Sequence, residues 1–333
     1  MSERYLAPAQ TIEPPLVERK RNSDVTPWRL VLHAGLLVLT LVSCFFTGAL
    51  MALPSGPASE QILQDPKLGA TGEPGWLAFI FAALRDPHLA SSGLAYAFTL
   101  IAILLAHEMG HYLACRYYGV RSSLPYFIPA PTFIGTFGAF IRIKEPITSR
   151  RALFDIGIAG PLAGFAVAVP AAMVGLLLAE PAAPLPPTGN TIVFQDPLFF
   201  IGIQHLFDLP RMMEWNPIYF AAWVGMLATS LNLLPVGQLD GGHVVYAILG
   251  RRGHRAVAVS MFALICILAV LTYWIHRWPG WFIYAALLGL MLGLKHPPLV
   301  DEYVPIDRTR RIIGVVGLLV FALSFMPFPI VIE

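Results

Sequence analysis

Long runs of apolar residues alternate with short polar segments along most of the chain, and this pattern predicts its architecture. A helical stretch of about 20 apolar residues is long enough to cross the hydrocarbon core of a bilayer. Runs of this kind occur at 28–53, 93–118, 152–180, 217–243, 256–275, 279–294 and 311–330. We therefore expect an all-α polytopic membrane protein with about seven transmembrane helices.

The composition supports this interpretation. Of the 333 residues, 56% are hydrophobic and only 13% are charged, and the mean hydropathy is +0.67. These values exclude an ordinary soluble domain. Residues 1–27 are polar and include acidic side chains, which argues against a signal peptide and predicts a disordered cytoplasmic tail. Residues 28–330 then form a single transmembrane domain.

The lysines and arginines predict the orientation of the spans. If the N-terminus is cytoplasmic, every basic residue falls on the cytoplasmic side except Lys67, Arg85, Arg211 and Arg277. Such an excess of positive charge in cytoplasmic loops is typical of multi-pass membrane proteins. No basic cluster with interleaved aromatic residues indicates a nucleic-acid partner, so we expect none.

One apolar segment does not have a helical pattern. Residues 124–131 contain three prolines, and residues 132–144 are rich in aromatic and β-branched residues, which favours extended structure. Gly135 and Gly138 permit a turn or a close approach of two backbones. We expect a re-entrant β-hairpin at the membrane edge, because irregular backbone at that depth must be covered by protein or line a wet cavity.

The chemistry centres on residues 107–111, within the second apolar run. His107 and His111 are four residues apart, so on a helix both imidazoles lie on one face and can bind one metal ion. Glu108 lies beside the pair, where its carboxylate can take a proton from a water bound to the metal. Ionisable side chains in a transmembrane helix cost about 2.5–3.5 kcal/mol each on insertion scales, so their presence indicates function.

A second polar position lies in the apolar run that begins at residue 217. Asp240 follows Pro235 and sits among glycines, which interrupt the helix and allow the carboxylate to turn toward a neighbour. The predicted topology places Asp240 in the same membrane half as His107 and His111. We therefore expect one Zn²⁺ per chain with these three ligands and a fourth position left for water.

Some neighbouring residues allow other interpretations. Cys115 lies on the helix face of His111, so a closed structural zinc site that includes this thiol is an alternative to the open catalytic site. His243 could orient the site from beside Asp240. Gly160 and Gly164 have the four-residue spacing that favours close packing of helices.

Three motifs connect the chain to a known family. They are H-E-M-G-H at 107–111, G-P-L-A-G at 160–164 and N-L-L-P-V-G-Q-L-D-G-G at 232–242. Through these motifs, over about residues 100–245, the chain resembles the site-2 protease family of intramembrane zinc metalloproteases. Residues 126–159 are also similar to the subgroup of plant chloroplast and cyanobacterial members.

The resemblance implies a role for each residue of the site. His107, His111 and Asp240 would bind zinc, Glu108 would activate water, and Asn232 would help to polarise the scissile carbonyl. The catalytic core would extend over about 93–250, and the apolar hairpin would meet the substrate. Many bacterial members carry a PDZ domain in a loop between spans, and here the corresponding loop is too short to hold one.

The expected function is regulated intramembrane proteolysis: a metalloprotease that cleaves the transmembrane segment of a single-span membrane protein. Two alternatives remain. One is a catalytically idle homologue that acts as a binding or assembly factor, and the other is an intramembrane metal transporter, although we find no internal repeat. The expected location is the inner (plasma) membrane, with a plastid membrane as the alternative.

Overall fold

The computed structural model describes residues 26–53, 75–182, 192–293 and 305–332. Its helices are α1 (Pro27–Met51), α2 (Gly75–Arg85), α3 (Pro87–Tyr117), α4 (Arg150–Leu177), α5 (Leu198–Leu206), α6 (Pro217–Asn232), α7 (Asp240–His276), α8 (Gly280–Gly293) and α9 (Arg308–Ser324). Its strands are β1 (Tyr126–Pro129), β2 (Thr136–Phe140), β3 (Ile192–Phe194) and β4 (Ile330–Ile332). Residues 1–25 of the predicted tail lie outside the described residues.

Four helices in the described part of the chain are long and apolar enough to cross a membrane, namely α1, α3, α4 and α7. Helix α8 is apolar but has only 14 residues. Helix α3 starts six residues earlier than its apolar run predicts. The reason is a polar cap, since the Asp86 carboxylate accepts hydrogen bonds from the backbone N–H groups of His88 and Leu89, and Pro87 occupies the first turn.

The run that begins at residue 217 is interrupted, as the sequence predicts. Helix α6 ends at Asn232, residues 233–239 are not helical, and α7 begins at Asp240. Gly237 has a φ of +57°, a left-handed conformation that favours glycine. A second break occurs at Gly250, with φ +71° and ψ −176°, and it divides α7 into two helical segments.

The end of the chain departs from the prediction of a span over 311–330. Helix α9 stops at Ser324, because Pro327 and Pro329 cannot continue a helix. Residues of β4 then pair antiparallel with β3, with Phe194 opposite Ile330. Strands of three residues are too short to produce a recognisable alternation of polar and apolar residues, so the sequence did not predict this sheet.

The central core lies between α1, α3, α4 and α6. Its largest fully buried side chains include Tyr96, Tyr219, Phe220 and Trp223. The ring of Tyr96 stacks on that of Phe220 with centroids 5.7 Å apart, and Phe220 stacks on Trp223 at 5.8 Å. This packing fixes α6 against α3, the helix that carries both histidines of the motif.

The segment at 124–144 forms the predicted β-hairpin. Strands β1 and β2 are antiparallel, with Tyr126 opposite Phe140. The pairing continues toward the base of the hairpin, where the backbone amide of Lys144 donates to the carbonyl of Arg121 over 2.8 Å. The backbone amide and the guanidinium of Arg121 both donate to Glu145 and lower the pKa of its carboxyl.

Polar side chains of α1 and α3 hold the hairpin through its backbone carbonyls. His33 Nδ1 lies 2.9 Å from the Pro125 oxygen, Ser43 Oγ donates to Ala130 over 2.8 Å, and Thr47 Oγ1 donates to Thr132 over 3.3 Å. From α3, Tyr96 donates its hydroxyl proton to the Ile134 oxygen over 2.8 Å. These bonds satisfy backbone acceptors that a membrane environment would leave without water.

Candidate metal centre

Three side chains that are distant in sequence meet at one point in the described structure. His107 Nε2 and His111 Nε2 are 3.1 Å apart, and Asp240 Oδ2 lies 3.2 Å from the first and 3.3 Å from the second. Both histidines are buried, at 6% and 7% exposure. These are the three ligands that the sequence predicts, and the structure brings them together.

Local structure explains how the three atoms converge. His107 and His111 lie one turn apart on α3, and Asp240 opens α7 directly after the non-helical residues 233–239. His111 Nδ1 is 2.7 Å from the carbonyl oxygen of Ile156 in α4, so it must carry the proton and donate it. The Nε2 lone pair of His111 therefore points toward His107 and Asp240.

The donor set fits a zinc ion. Two imidazole nitrogens and one carboxylate oxygen are ligands that zinc accepts, and three protein ligands leave a fourth position open. With bonds of about 2.0–2.1 Å, two ligands of a tetrahedral ion lie about 3.3 Å apart. The observed separations of 3.1–3.3 Å agree with that distance.

Glu108 lies beside the three donors and outside the group whose ligand atoms lie close together. It is 6% exposed and lines a cavity of about 220 Å³ that also contacts all three predicted ligands. Ile141, just after β2, lines the same cavity beside Glu108. The carboxylate is thus placed next to the metal position without occupying it, as a proton acceptor requires.

Other predicted residues lie around the same cavity or away from it. Asn232, the last residue of α6, lines the cavity, and so does His243, one turn after Asp240. Cys115 lies apart from the three donors and is fully buried in an apolar cluster with Val120.

The two glycines of α4 contact the metal site directly, which the sequence did not predict. A Cβ atom at Gly160 would collide with the ring of His111, and one at Gly164 would lie 3.1 Å from Cβ of His107. Across the same interface, a Cβ at Gly110 would lie 3.0 Å from Cβ of Ala163. Glycine therefore lets α4 approach close enough for the Ile156 carbonyl to reach His111.

Asp155 is the second feature that sequence reasoning missed. A carboxylate near the start of an apolar run is typical of a charge that stabilises a helix N-terminus. In the structure its carboxylate pairs instead with Arg310 of α9, which donates Nε to Oδ1 over 2.9 Å. The partners are separated by 155 residues, and no local pattern indicates a contact over such a distance.

Comparison with known proteins agrees with the geometry. The family model described as peptidase family M50 matches residues 95–274, which is just over half of the chain. The chain is 32% identical to probable zinc metalloprotease EGY1, chloroplastic, of Oryza sativa subsp. japonica, over 74% of this chain and 43% of the relative. It is 28% identical to probable zinc metalloprotease EGY2, chloroplastic, of Arabidopsis thaliana, over 75% and 44%.

The chain thus spans less than half the length of these curated relatives. The matched region contains most of α3, with His107 and His111, α4 with its close-packed glycines, and the break that precedes Asp240. The chain belongs to peptidase family M50, the site-2 protease family that the three motifs predicted.

Proposed function

We propose that the protein is a zinc-dependent intramembrane endopeptidase. One observation carries the proposal: His107, His111 and Asp240 converge within helices of a membrane protein, beside a cavity that also holds Glu108. Ionisable groups are costly at such a position unless they have a function. The zinc metalloprotease names of the relatives support the same chemistry.

The roles follow from the placement of each side chain. His107, His111 and Asp240 would hold the ion, which when bound lowers the pKa of water toward 7 and polarises a carbonyl group. Glu108 takes the proton of the attacking water and returns it to the leaving amine. Asn232 lines the same cavity, and its side-chain amide would donate to the oxygen of the scissile carbonyl.

The hairpin supplies a route for binding an unwound substrate. The amides of Arg142 and Lys144 point toward the first half of the hairpin, where they donate to Ser123 and Arg121. Because amides alternate along a strand, the amide of Ile143 points to the opposite edge, and Ile143 lines the cavity. A transmembrane segment of a single-span protein, once unwound, would add to this edge as a further strand.

The proposal includes a seven-span arrangement with a re-entrant hairpin, in a single protease domain over 28–330. In this arrangement α6 and the first segment of α7 together form one interrupted span. The other six spans are α1, α3, α4, the second segment of α7, and the shorter helices α8 and α9. The helices of this chain imply a lipid bilayer environment. The chloroplastic names of the relatives support the plastid membrane, the alternative to the plasma membrane expected first.

The decisive experiment is Glu108→Gln in the full chain. We expect zinc content to remain, because the ligands are unchanged, while proteolysis falls by about 10²–10⁴-fold with loss of the proton acceptor. Membranes that contain the variant should accumulate single-span proteins that membranes with the wild type cleave, and quantitative proteomics of the two identifies them.

Three results would contradict the proposal. Equal cleavage by the wild type and Glu108→Gln would overturn the assigned mechanism. A wild-type protein that binds zinc but leaves every membrane protein intact would favour the idle homologue. Zinc uptake by vesicles containing the protein would favour a transporter.

A further inference from the structure

A polar network joins three helices at one end of the metal centre. The guanidinium of Arg310, in the first turn of α9, donates Nε to Asp155 Oδ1 over 2.9 Å and Nη2 to Asp155 Oδ2 over 2.5 Å. Its Nη2 also lies 2.9 Å from the hydroxyl oxygen of Tyr118, and that hydroxyl donates to Asp155. Arg310 further contacts Asp307, the N-cap of its own helix.

The network is connected to the metal centre through α3 and α4, two of the three helices that it joins. Asp155 directly precedes Ile156, whose carbonyl oxygen accepts the His111 Nδ1 proton over 2.7 Å. Tyr118 caps the C-terminal end of α3, two turns beyond His111. The Arg310 guanidinium therefore links the end of α3 to the first turns of α4. These are the two helices that the hydrogen bond between His111 and Ile156 also connects.

Apolar packing holds α9, the helix that carries Arg310. Phe154 and Ile158 of α4 lie in one buried cluster with Val244 of α7 and Val320 of α9. Helix α9 is thus held against α4 and against the segment of α7 that begins with Asp240. This packing keeps the start of α9 beside α4, where the Arg310 guanidinium contacts Asp155 and Tyr118.

We propose that Arg310 is a positioning residue for the metal centre. It holds α3 and α4 at the spacing that keeps the Ile156 carbonyl on His111 Nδ1, which in turn directs His111 Nε2 at the metal position. This inference rests on the proposed zinc site. It assigns a role in metal binding to α9, which contributes no ligand.

The geometry requires arginine rather than positive charge alone. The planar guanidinium donates to both oxygens of one carboxylate and to a neighbouring hydroxyl, a pattern that the single ammonium group of lysine cannot reproduce. Arg151 supplies a matched control, because it forms a more exposed pair with Asp307 at 4.0 Å and has no contact with Asp155 in the network described here.

The test measures zinc affinity of the purified full-length protein in detergent, by competition with a chelator. Arg310→Gln should bind zinc about 10-fold more weakly, at the lower end of the 10- to 100-fold loss typical of residues that orient metal ligands. Arg310→Lys should recover less than half of that loss on a logarithmic scale. Arg151→Gln removes the same charge and should bind zinc as the wild type does.

Two further measurements separate positioning from general stabilisation. Cobalt(II) substituted for zinc should show altered visible absorption bands in Arg310→Gln and unaltered bands in Arg151→Gln, because the bands report ligand geometry. Asp155→Asn should weaken zinc binding as much as Arg310→Gln does, and the double variant should add little, since both changes remove one interaction.

The outcomes are distinct. If Arg310→Gln lowers the melting temperature but keeps wild-type zinc affinity and cobalt bands, the network only stabilises the fold and the inference is wrong. If Arg310→Gln does not accumulate, Arg310→Lys decides, and wild-type affinity in that variant overturns the inference. A wild-type protein without zinc affinity would instead overturn the proposed function.

Discussion

We expect Gly160→Ala to displace His111, one of the proposed metal ligands, without changing its chemistry. The added methyl group would overlap the Nε2, Cδ2 and Cε1 atoms of His111. Separation of α3 and α4 would disrupt a closely packed interface, since even a Cβ at Gly110 would collide with the carbonyl oxygen of Ala159. The imidazole must therefore turn away, which breaks its 2.7 Å hydrogen bond to Ile156 and moves Nε2 from the shared point.

The size of the effect follows from the cost of overpacking. Inserting an extra methyl group into a well-packed interior costs about 1–3 kcal/mol. If this cost destabilises the zinc-bound protein relative to the zinc-free protein, the affinity for zinc weakens by roughly 5- to 150-fold. Gly164→Ala should cost less than about 10-fold, because its Cβ would lie 3.1 Å from Cβ and 3.3 Å from Nδ1 of His107, where small shifts suffice.

The assay is competition for zinc between a chelator and the purified protein, with protein abundance measured in parallel. Gly202→Ala in α5 is the control, since no atom lies within 4 Å of an added Cβ there and alanine is favoured in a helix. Wild-type zinc affinity in Gly160→Ala would refute the reasoning. Equal losses in the Gly160 and Gly202 variants would also refute it.

Two other substitutions test the ligand set and the hairpin edge. Asp240→Asn should weaken zinc binding by at least roughly 10- to 100-fold, the loss that changes around a metal site cause. Cys115→Ser should leave zinc binding unchanged. Loss of zinc from the Cys115 variant rather than from the Asp240 variant would indicate a closed structural site. Ile143→Pro should lower cleavage of a membrane substrate at constant zinc content, because proline removes an outward amide, while Ile143→Ala should be mild. Equal losses of activity and abundance in both Ile143 variants would point to packing instead of substrate docking.

Patterns of short period predicted much of this structure. The spacing of His107 and His111 placed both on one helical face, and Pro235 with the glycines on either side of Asp240 predicted a break in the helix there. Prolines and aromatic residues likewise predicted the hairpin, and Asn216 and Pro217 mark the observed start of α6. In each case the signal lies within one turn or one loop, where local backbone preferences decide the outcome.

Contacts between distant residues were not predictable in this way. The G-x-x-x-G spacing of Gly160 and Gly164 predicts a close helix neighbour, but nothing in it indicates that the neighbour is the histidine helix. Arg310 resembles any other basic residue at a membrane boundary, and its pairing with Asp155 depends on how α9 folds back across the bundle. Such contacts are determined by the packing of whole helices.

The attachment of the hairpin has a consequence for the evolution of specificity. Helices α1 and α3 bind this element through main-chain carbonyls, and every amino acid presents the same carbonyl. The exposed rings of Phe133, Phe137 and Phe140 contribute none of these bonds, with exposures of 51%, 72% and 46%. If the hairpin meets the substrate as proposed, substitutions at Phe133 and Phe137 would change which transmembrane sequences are accepted while the hairpin remains fastened, so selectivity could diverge among relatives without rebuilding the metal centre.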